Sequence, residues 1–407
     1  MTKHIADLRI EPFRYDLPDE RIARYPLSER DESKLLVYRS GEIWEDTYRN
    51  IAAHIPTDSL LVFNNTKVIH ARLFFPTATG AQVEVFCLEP AGEQIDMASA
   101  MVKKESTRWN CLIGRASKWK EKVLVMKTDT FTMQAEIVER NSDAFVVEFR
   151  WTPIHFTFAE ILDRAGVMPI PPYLKRSADQ TDQTRYQTVF AEYEGSVAAP
   201  TAGLHFTPRV FESFAQKNIQ TTFLTLHVGA GTFKPVTAET IGAHEMHAEV
   251  ICLSRATIQQ IKDALERPMI PVGTTSLRTL ESLYWMGVKA KLNPSLSEQE
   301  IEISQWEVYK SLPDDISASD ALDALLLWMK TKGLETLLCK TQILIAPGYT
   351  LKIATALITN FHQPSSTLLL LVAAIAGGDW KKIYDYALTH DFRFLSYGDG
   401  SLIFARK

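Results

Sequence analysis

A chain of 407 residues, 46% of them hydrophobic and 23% charged, is long enough for two domains or one domain with an insertion, and its composition excludes disordered and fibrous classes. A net charge of −5 provides no global positive field, so any contact with nucleic acid has to come from a local patch. Cys87, Cys111, Cys252 and Cys339 show neither CxxC nor Cys/His ligand spacing and read as buried thiols of a reducing compartment.

The N-terminal residues lack the apolar core of a signal peptide. The most apolar run, TLLLLVAAIA at 367–376, is about half of the roughly 20 residues that span a bilayer, so a cytoplasmic protein without a membrane segment is expected. Between 34 and 73 the runs KLLVY, SLLVF and KVIHARL are short, apolar and bounded by turn residues, as strands are. From about 74 to 153 strand-like runs continue without a convincing helix: QVEVFCL, KVLVM, FTMQAEIV and AFVVEFRW. Their regular spacing predicts a small barrel or sandwich.

After 157 helices and strands alternate. Thr207 followed by Pro208 marks a helix start, TTFLTLHV is a strand, and Ser254 caps SRATIQQIKDALER. MIPVGT then returns as a strand into the helix SLRTLESLYW. The expected fold is an α/β main domain built from 1–73 and 154–407, with a small all-β, barrel-like domain inserted at 74–153. In the segment 287–340, SASDALDALLLWMKTKG is expected to pack on the α/β body as an amphipathic helix.

There is no Walker motif, GxGxxG, HExxH or GxSxG. The chemical signal lies instead in uncharged junctions beside predicted strands. In GSVAAPTAGLHF (195–206), Gly195, Pro200 and Gly203 allow sharp turns and close approach, and His205 precedes a helix N-terminus. Alone, this segment reads better as a tight crossover around a buried histidine. In LTLHVGAGTFKPV (224–236), His227 ends a strand and Gly229 and Gly231 open a loop, the kind of strand end at which ligands bind in α/β sheets. His244 and His247 follow in HEMH with a spacing that a metal could use on a helix, but no third ligand is evident and no metal is expected.

In VGTTSLRTLES (272–282), Thr274, Thr275 and Ser276 open a helix and offer donors to an anion or a sugar. Arg278 and Glu281 share a face of that helix and are as well explained by a surface ion pair. In ITNFHQPSSTL (358–368), Asn360 ends a strand and His362 precedes the helix that starts near Thr367. In FLSYGDGSLIF, Tyr397 and Asp399 occupy a glycine-bounded turn between strand-like halves. A single cleft could collect all of these ends.

The stretch 103–127 is different. Lys103, Lys104, Arg108, Arg115, Lys118, Lys120, Lys122 and Lys127 outnumber Glu105 and Glu121, with Trp109 and Trp119 interleaved, a pattern suited to phosphate contact and base stacking. By itself it is better explained as a solvated β surface with tryptophans inside.

The motifs YPLSERDESKLLV (25–37), LLVFNNTKVIHARL (60–73), MPIPPYLKR (168–176), RYQTVFA (185–191), GSVAAPTAGLHFT, LTLHVGAGTFKPV, VGTTSLRTLES, PGY (347–349), TNFHQPSSTLLLLV and SYGD (396–399), in this order, resemble the S-adenosylmethionine:tRNA ribosyltransferase-isomerases of queuosine biosynthesis. The resemblance spans nearly the whole chain. It implies transfer and isomerisation of the ribosyl group of S-adenosylmethionine onto 7-aminomethyl-7-deazaguanine at the tRNA wobble position. Epoxyqueuosine, adenine and methionine are the products. It further implies a monomer that takes S-adenosylmethionine as co-substrate, needs no cofactor and partners tRNA.

On that basis His205, His227 and His362, with Asp399 and Glu281, are the catalytic candidates. Asn64, Thr66, Arg72, Tyr186, Pro200, Thr201, Gly203, Gly229, Thr232, Thr274, Thr275, Ser276, Arg278, Asn360, Thr367 and Tyr397 are expected at the substrates. Lys103, Lys104, Arg108, Arg115, Lys118 and Lys120 are expected at tRNA. The chain departs from the family pattern at Asn65, Lys67 and His70, where Asp, Arg and Pro are usual, and at Gln363 and Ser365, where Leu and Arg are usual. A paralogue that binds S-adenosylmethionine or tRNA without catalysis, or that acts on another substrate, is the alternative. A metal hydrolase using His244 and His247 is the weakest reading.

Overall fold

Leu60–Asn64 is buried along its whole length, as a strand covered on both faces should be. It pairs in parallel with Met269–Pro271 on one side and Gln220–His227 on the other; Glu249–Ser254 and Thr336–Thr341 extend this five-stranded sheet antiparallel. A four-stranded sheet follows the order Ala356–Asn360, Gly400–Phe404, Lys34–Arg39, Glu42–Thr47. A parallel bridge between Val272 and Ile358 sets the two sheets edge to edge. The C-terminal ends of Ala356–Asn360, Met269–Pro271, Leu60–Asn64 and Gln220–His227 therefore point the same way.

The computed structural model describes residues 5–92, 97–141, 144–229 and 238–406. Within them the expected mixture of helices and sheets is present, although the sheets are mixed rather than wholly parallel. The stretch HEMH is not helical; it lies between the turn Ile241–Ala243 and the strand Glu249–Ser254. Of the two strand-like halves around Tyr397, only the second forms a strand, Gly400–Phe404. Among the described residues no helix is long and apolar enough to cross a membrane.

The strands Arg72–Pro76, Gln82–Pro90, Ser106–Gly114, Phe145–Thr152, Thr132–Arg140 and Val123–Lys127 form, in that spatial order, a six-stranded antiparallel sheet. It is nearly closed and barrel-like, with its first and last strands against each other. A short helix, Met97–Met101, interrupts the strand series that the sequence presented as unbroken. Helix Phe158–Ala165, started by a capping box between Thr157 and Glu160, brings Phe158 against the rings of Trp109, Phe149 and Trp151. Trp109 and Trp119 are both buried in this core, which removes them as stacking platforms for bases.

Helix Thr274–Leu292 is buried on nearly every side. Helix Ala318–Lys332, capped by Ser317 and closed by Gly333 in the left-handed conformation, packs along it, as the apolar spacing implied. The contact is close at Gly287, where an added Cβ would lie 2.1 Å from the carbonyl oxygen of Ala321. Gly287→Ala should therefore force the helices apart and destabilise the protein by about 1–3 kcal/mol, seen as a lower denaturation midpoint. An unchanged midpoint would show that this contact relaxes freely.

Candidate active site

A cavity, partly open to solvent, sits at the aligned strand ends. Residues 198–202 of the glycine- and alanine-rich crossover form one wall. Val228 follows the strand Gln220–His227, and Gly273, Thr274, Thr275 and Arg278 come from the start of the long helix. Residues 359–363 and 366–368 form a further wall, and Leu395 and Ser396 complete it. Segments far apart in sequence and read separately as junctions thus share one cleft. The helix start is set by Gly273, whose φ of +92° suits glycine and whose N–H donates to Ile358 O at 2.8 Å.

Arg278 and Glu249 supply the charge. Arg278 Nη1 donates to Glu249 Oε2 and Nε donates to Ile343 O at 3.1 Å, while Nη2 has no partner. Glu249 Oε1 is also unpartnered and lies 3.6 Å from His247 Nε2, beyond hydrogen-bond distance. Arg278 is only 5% exposed and Glu249 2%. Burial alone would raise the Glu249 carboxyl, but the Arg278 guanidinium and His247 hold it below the ordinary carboxylate range, so it is ionised at neutral pH.

His247 Nε2 and Oδ1 of Asn360, the latter residue 2% exposed, are likewise without hydrogen-bond partners. Buried polar atoms are normally satisfied, and Arg278, Glu249, His247 and Asn360, which all line this cavity, each hold one buried atom without a hydrogen-bond partner, those of Glu249 and His247 facing each other. Such a set matches a ligand carrying both donors and acceptors.

The three histidines singled out in the sequence do not share this cavity. His362 lines it; Nε2 meets Thr359 Oγ1 at 2.8 Å, and its backbone is held by the hydroxyls of Tyr384 and Tyr15. His205 lies behind it, stacked on Tyr48 with ring centroids 4.3 Å apart. Burial lowers both imidazoles to about 3, so both are neutral at physiological pH. His227 lines an adjacent hollow with Gly195, Gly229 and Met97, and its Nδ1 is 3.3 Å from Thr66 Oγ1. There Gly195, at φ +140°, passes so close that a Cβ would meet Met97 Cγ at 2.2 Å.

The two carboxylates named with these histidines anchor backbone instead. Glu281 accepts from the N–H groups of Lys352, Ile353 and Ala354 and from Tyr349 Oη, and burial raises it. It is not the ion-pair partner of Arg278. Asp399 accepts from the backbone of Lys34 and Arg393 and from the Arg393 guanidinium.

Among the expected substrate residues, Pro200, Thr201, Thr274, Thr275, Arg278, Asn360 and Thr367 line the cavity. Ser276 bonds back to Val272 O, Asn64 ties its strand to Leu226, and Arg72 pairs with Glu84 at 3.2 Å. Gly203 leaves room for Phe190 and Thr188, Tyr186 is buried against Tyr397, and Tyr397 donates to Asp182 at 2.7 Å. Thr232 lies outside the described residues. Glu249 was not foreseen, because nothing in HAEVICL signals a partner 29 positions away. In the barrel Lys103, Lys104, Arg115, Lys118 and Lys120 are exposed, and Arg108 pairs with Glu148 at 2.9 Å.

The family model described as queuosine biosynthesis protein matches residues 10–403. This chain belongs to that family. A relative from Pelobacter propionicus, named S-adenosylmethionine:tRNA ribosyltransferase-isomerase, is 38% identical over 400 residues, covering 97% of this chain and 99% of its own. The crystal structure of S-adenosylmethionine tRNA ribosyltransferase from Thermotoga maritima is 26% identical, covers 96% of this chain and 99% of its own, and has a TM-score of 0.45. The family is one of enzymes in tRNA modification, as the motif order implied.

The neutral histidines have a consequence for stability. Both bind protons in the unfolded chain near 6.5 but in the native state only near 3. Stability is therefore full above pH 6.5 and falls as the pH drops through that window. At pH 4.5 the loss should be on the order of 3 kcal/mol per histidine, and His362→Gln should flatten the slope of melting temperature against pH. An unaltered slope would show that His362 charges normally in the native state.

Proposed function

We propose that this chain transfers and isomerises the ribosyl group of S-adenosylmethionine onto 7-aminomethyl-7-deazaguanine in the wobble position of tRNA, releasing adenine and methionine. The observation that carries the reading is the convergence of the family's motifs on one cavity whose wall keeps four polar atoms unpartnered.

The sulfonium of S-adenosylmethionine acidifies its 5′ carbon, so the chemistry needs a proton acceptor, a donor for departing adenine and groups that hold the ribose hydroxyls. His362 is neutral and fixed on Thr359, which suits it to an uncharged hydrogen bond rather than to service as an imidazolium acid. Glu249 Oε1 offers an ionised acceptor and Arg278 Nη2 a permanent donor. Thr274 and Thr275, with the free N–H groups of the first helical turn, suit hydroxyls or a carboxylate.

The barrel, read as a unit inserted in the α/β body, would present its exposed lysines to the tRNA backbone. Co-substrate and tRNA are the partners; the protein is read as a cytoplasmic monomer without a cofactor. The competing reading is a paralogue that binds without turning over.

Purified protein incubated with S-adenosylmethionine and tRNA bearing the aminomethyl base should release adenine and yield the epoxyqueuosine mass. Glu249→Gln, which keeps the shape, should lower kcat/KM at least about tenfold, the scale of one lost charged hydrogen bond. Tight S-adenosylmethionine binding without adenine release would favour the paralogue. Exchanging Lys103 and Lys104 for serine should weaken tRNA binding and reduce the salt slope by about one unit per lost phosphate contact. An unchanged slope would move the tRNA surface elsewhere.

A further inference from the structure

We infer that His205 is a positioning residue. It fixes the Asn360 side-chain amide with its oxygen toward the cavity, and that oxygen selects a substrate group carrying an N–H or O–H. The inference rests on the proposed function for the identity of the substrate.

The hydrogen-bond directions follow from one fixed end. Asn360 Nδ2 is 3.4 Å from the carbonyl oxygen of Asp399, an acceptor only, so the amide nitrogen must face that side. A flipped amide would set two oxygens against each other. The same nitrogen reaches His205 Nε2 at 3.1 Å, which makes Nε2 an acceptor. The ring's proton is then on Nδ1, 3.0 Å from Ser33 Oγ, and Ser33 passes its own hydrogen to Arg30 O at 3.1 Å. Every hydrogen in the chain is placed, and it ends on backbone at both sides.

The ring has no freedom to leave this arrangement. Tyr48 stacks on it, and the charges facing it, Arg30 and Arg393, both oppose its protonation. A protonated ring would also set an N–H against the Asn360 N–H. What remains is Asn360 Oδ1, a buried acceptor without a partner on a residue that lines the cavity. Leaving an acceptor unmade in a buried site costs stability unless a ligand completes it. A substrate amine or hydroxyl does so; an ether or methylated analogue at that point does not. His205 itself lines a separate small hollow with Arg30 and Tyr397, which is why it acts through Asn360 rather than on the reacting atoms.

The test is a double-mutant cycle on the full-length protein, reading kcat and KM for S-adenosylmethionine through adenine release. An inactive wild type would refute the proposed function and not this inference. With an active wild type, His205→Phe, which keeps the stack on Tyr48 but has no acceptor, should lower kcat/KM about tenfold. In an Asn360→Leu background the same change should cost less than about twofold, because there is no longer an amide to orient. Equal, multiplicative losses in the two backgrounds overturn the proposal, as does full activity of His205→Phe. His205→Gln provides a second route should the Phe variant not fold, since its amide can accept from Asn360 and donate to Ser33. It should keep kcat/KM within about threefold of wild type. A loss as deep as that of Asn360→Leu would mean that His205 does more than position, and would overturn the proposal.

Discussion

The arrangement of the site depends on a single peptide, that of Gly273. Its N–H closes the gap between two sheets by bonding Ile358, and its left-handed φ turns the chain directly from the strand Met269–Pro271 into the helix Thr274–Leu292. Any side chain there would strain the backbone whatever the space around it. Because the two sheets meet edge to edge at this point, strand ends from residues 228, 273 and 360 are neighbours. The cavity follows from that adjacency, in the position where α/β sheets bind ligands.

The pair between Arg278 and Glu249 then joins the helix to the far side of the five-stranded sheet. A buried ion pair is a poor source of stability, because desolvation offsets most of the attraction. An apolar pair would hold helix and strand together as well. What it could not do is keep a donor and an acceptor, Arg278 Nη2 and Glu249 Oε1, free of hydrogen-bond partners on residues that line a cavity, and this is the property that the structure retains at some cost. The same logic covers Asn360. Its amide is tied on one side so thoroughly that the other side can remain unmade.

Local features were legible in the sequence where a local cause fixes them. Ser254 caps the helix it precedes, the strand ends at His227 and Asn360 fall where expected, and most barrel strands match their alternating runs. The strand Ser106–Gly114 was obscured because Arg108 on its outward side, together with the basic residues that flank it, made the stretch read as a basic patch. Partners distant in sequence left no trace. Arg278 has an acid three residues away on its own helix, but Glu281 is occupied by a backbone turn at 352–354 and the real partner is Glu249. Likewise a titratable histidine beside a glycine turn reads as a catalyst, and only burial between Tyr48, Ser33 and Asn360 marks His205 as a fixed, neutral acceptor.

The departures from the family pattern can now be placed physically. Lys67 meets Glu194 at 2.8 Å on the parallel pair formed by Thr66–Val68 and Tyr193–Ser196, so it retains the positive charge of the usual Arg but loses the planar fork. Ser365 sits in the left-handed region with its N–H on Phe13 O, a backbone role that does not call on the longer side chain. Neither they nor Asn65 and His70 line the cavity at the strand ends, whereas Gln363 does. The departure that touches the site is therefore Gln363, an amide where the resemblance implies an apolar side chain. Gln363 brings an amide to the same cavity as Arg278, Glu249, His247 and Asn360, and polar groups at a site discriminate between ligands far more sharply than methylenes do.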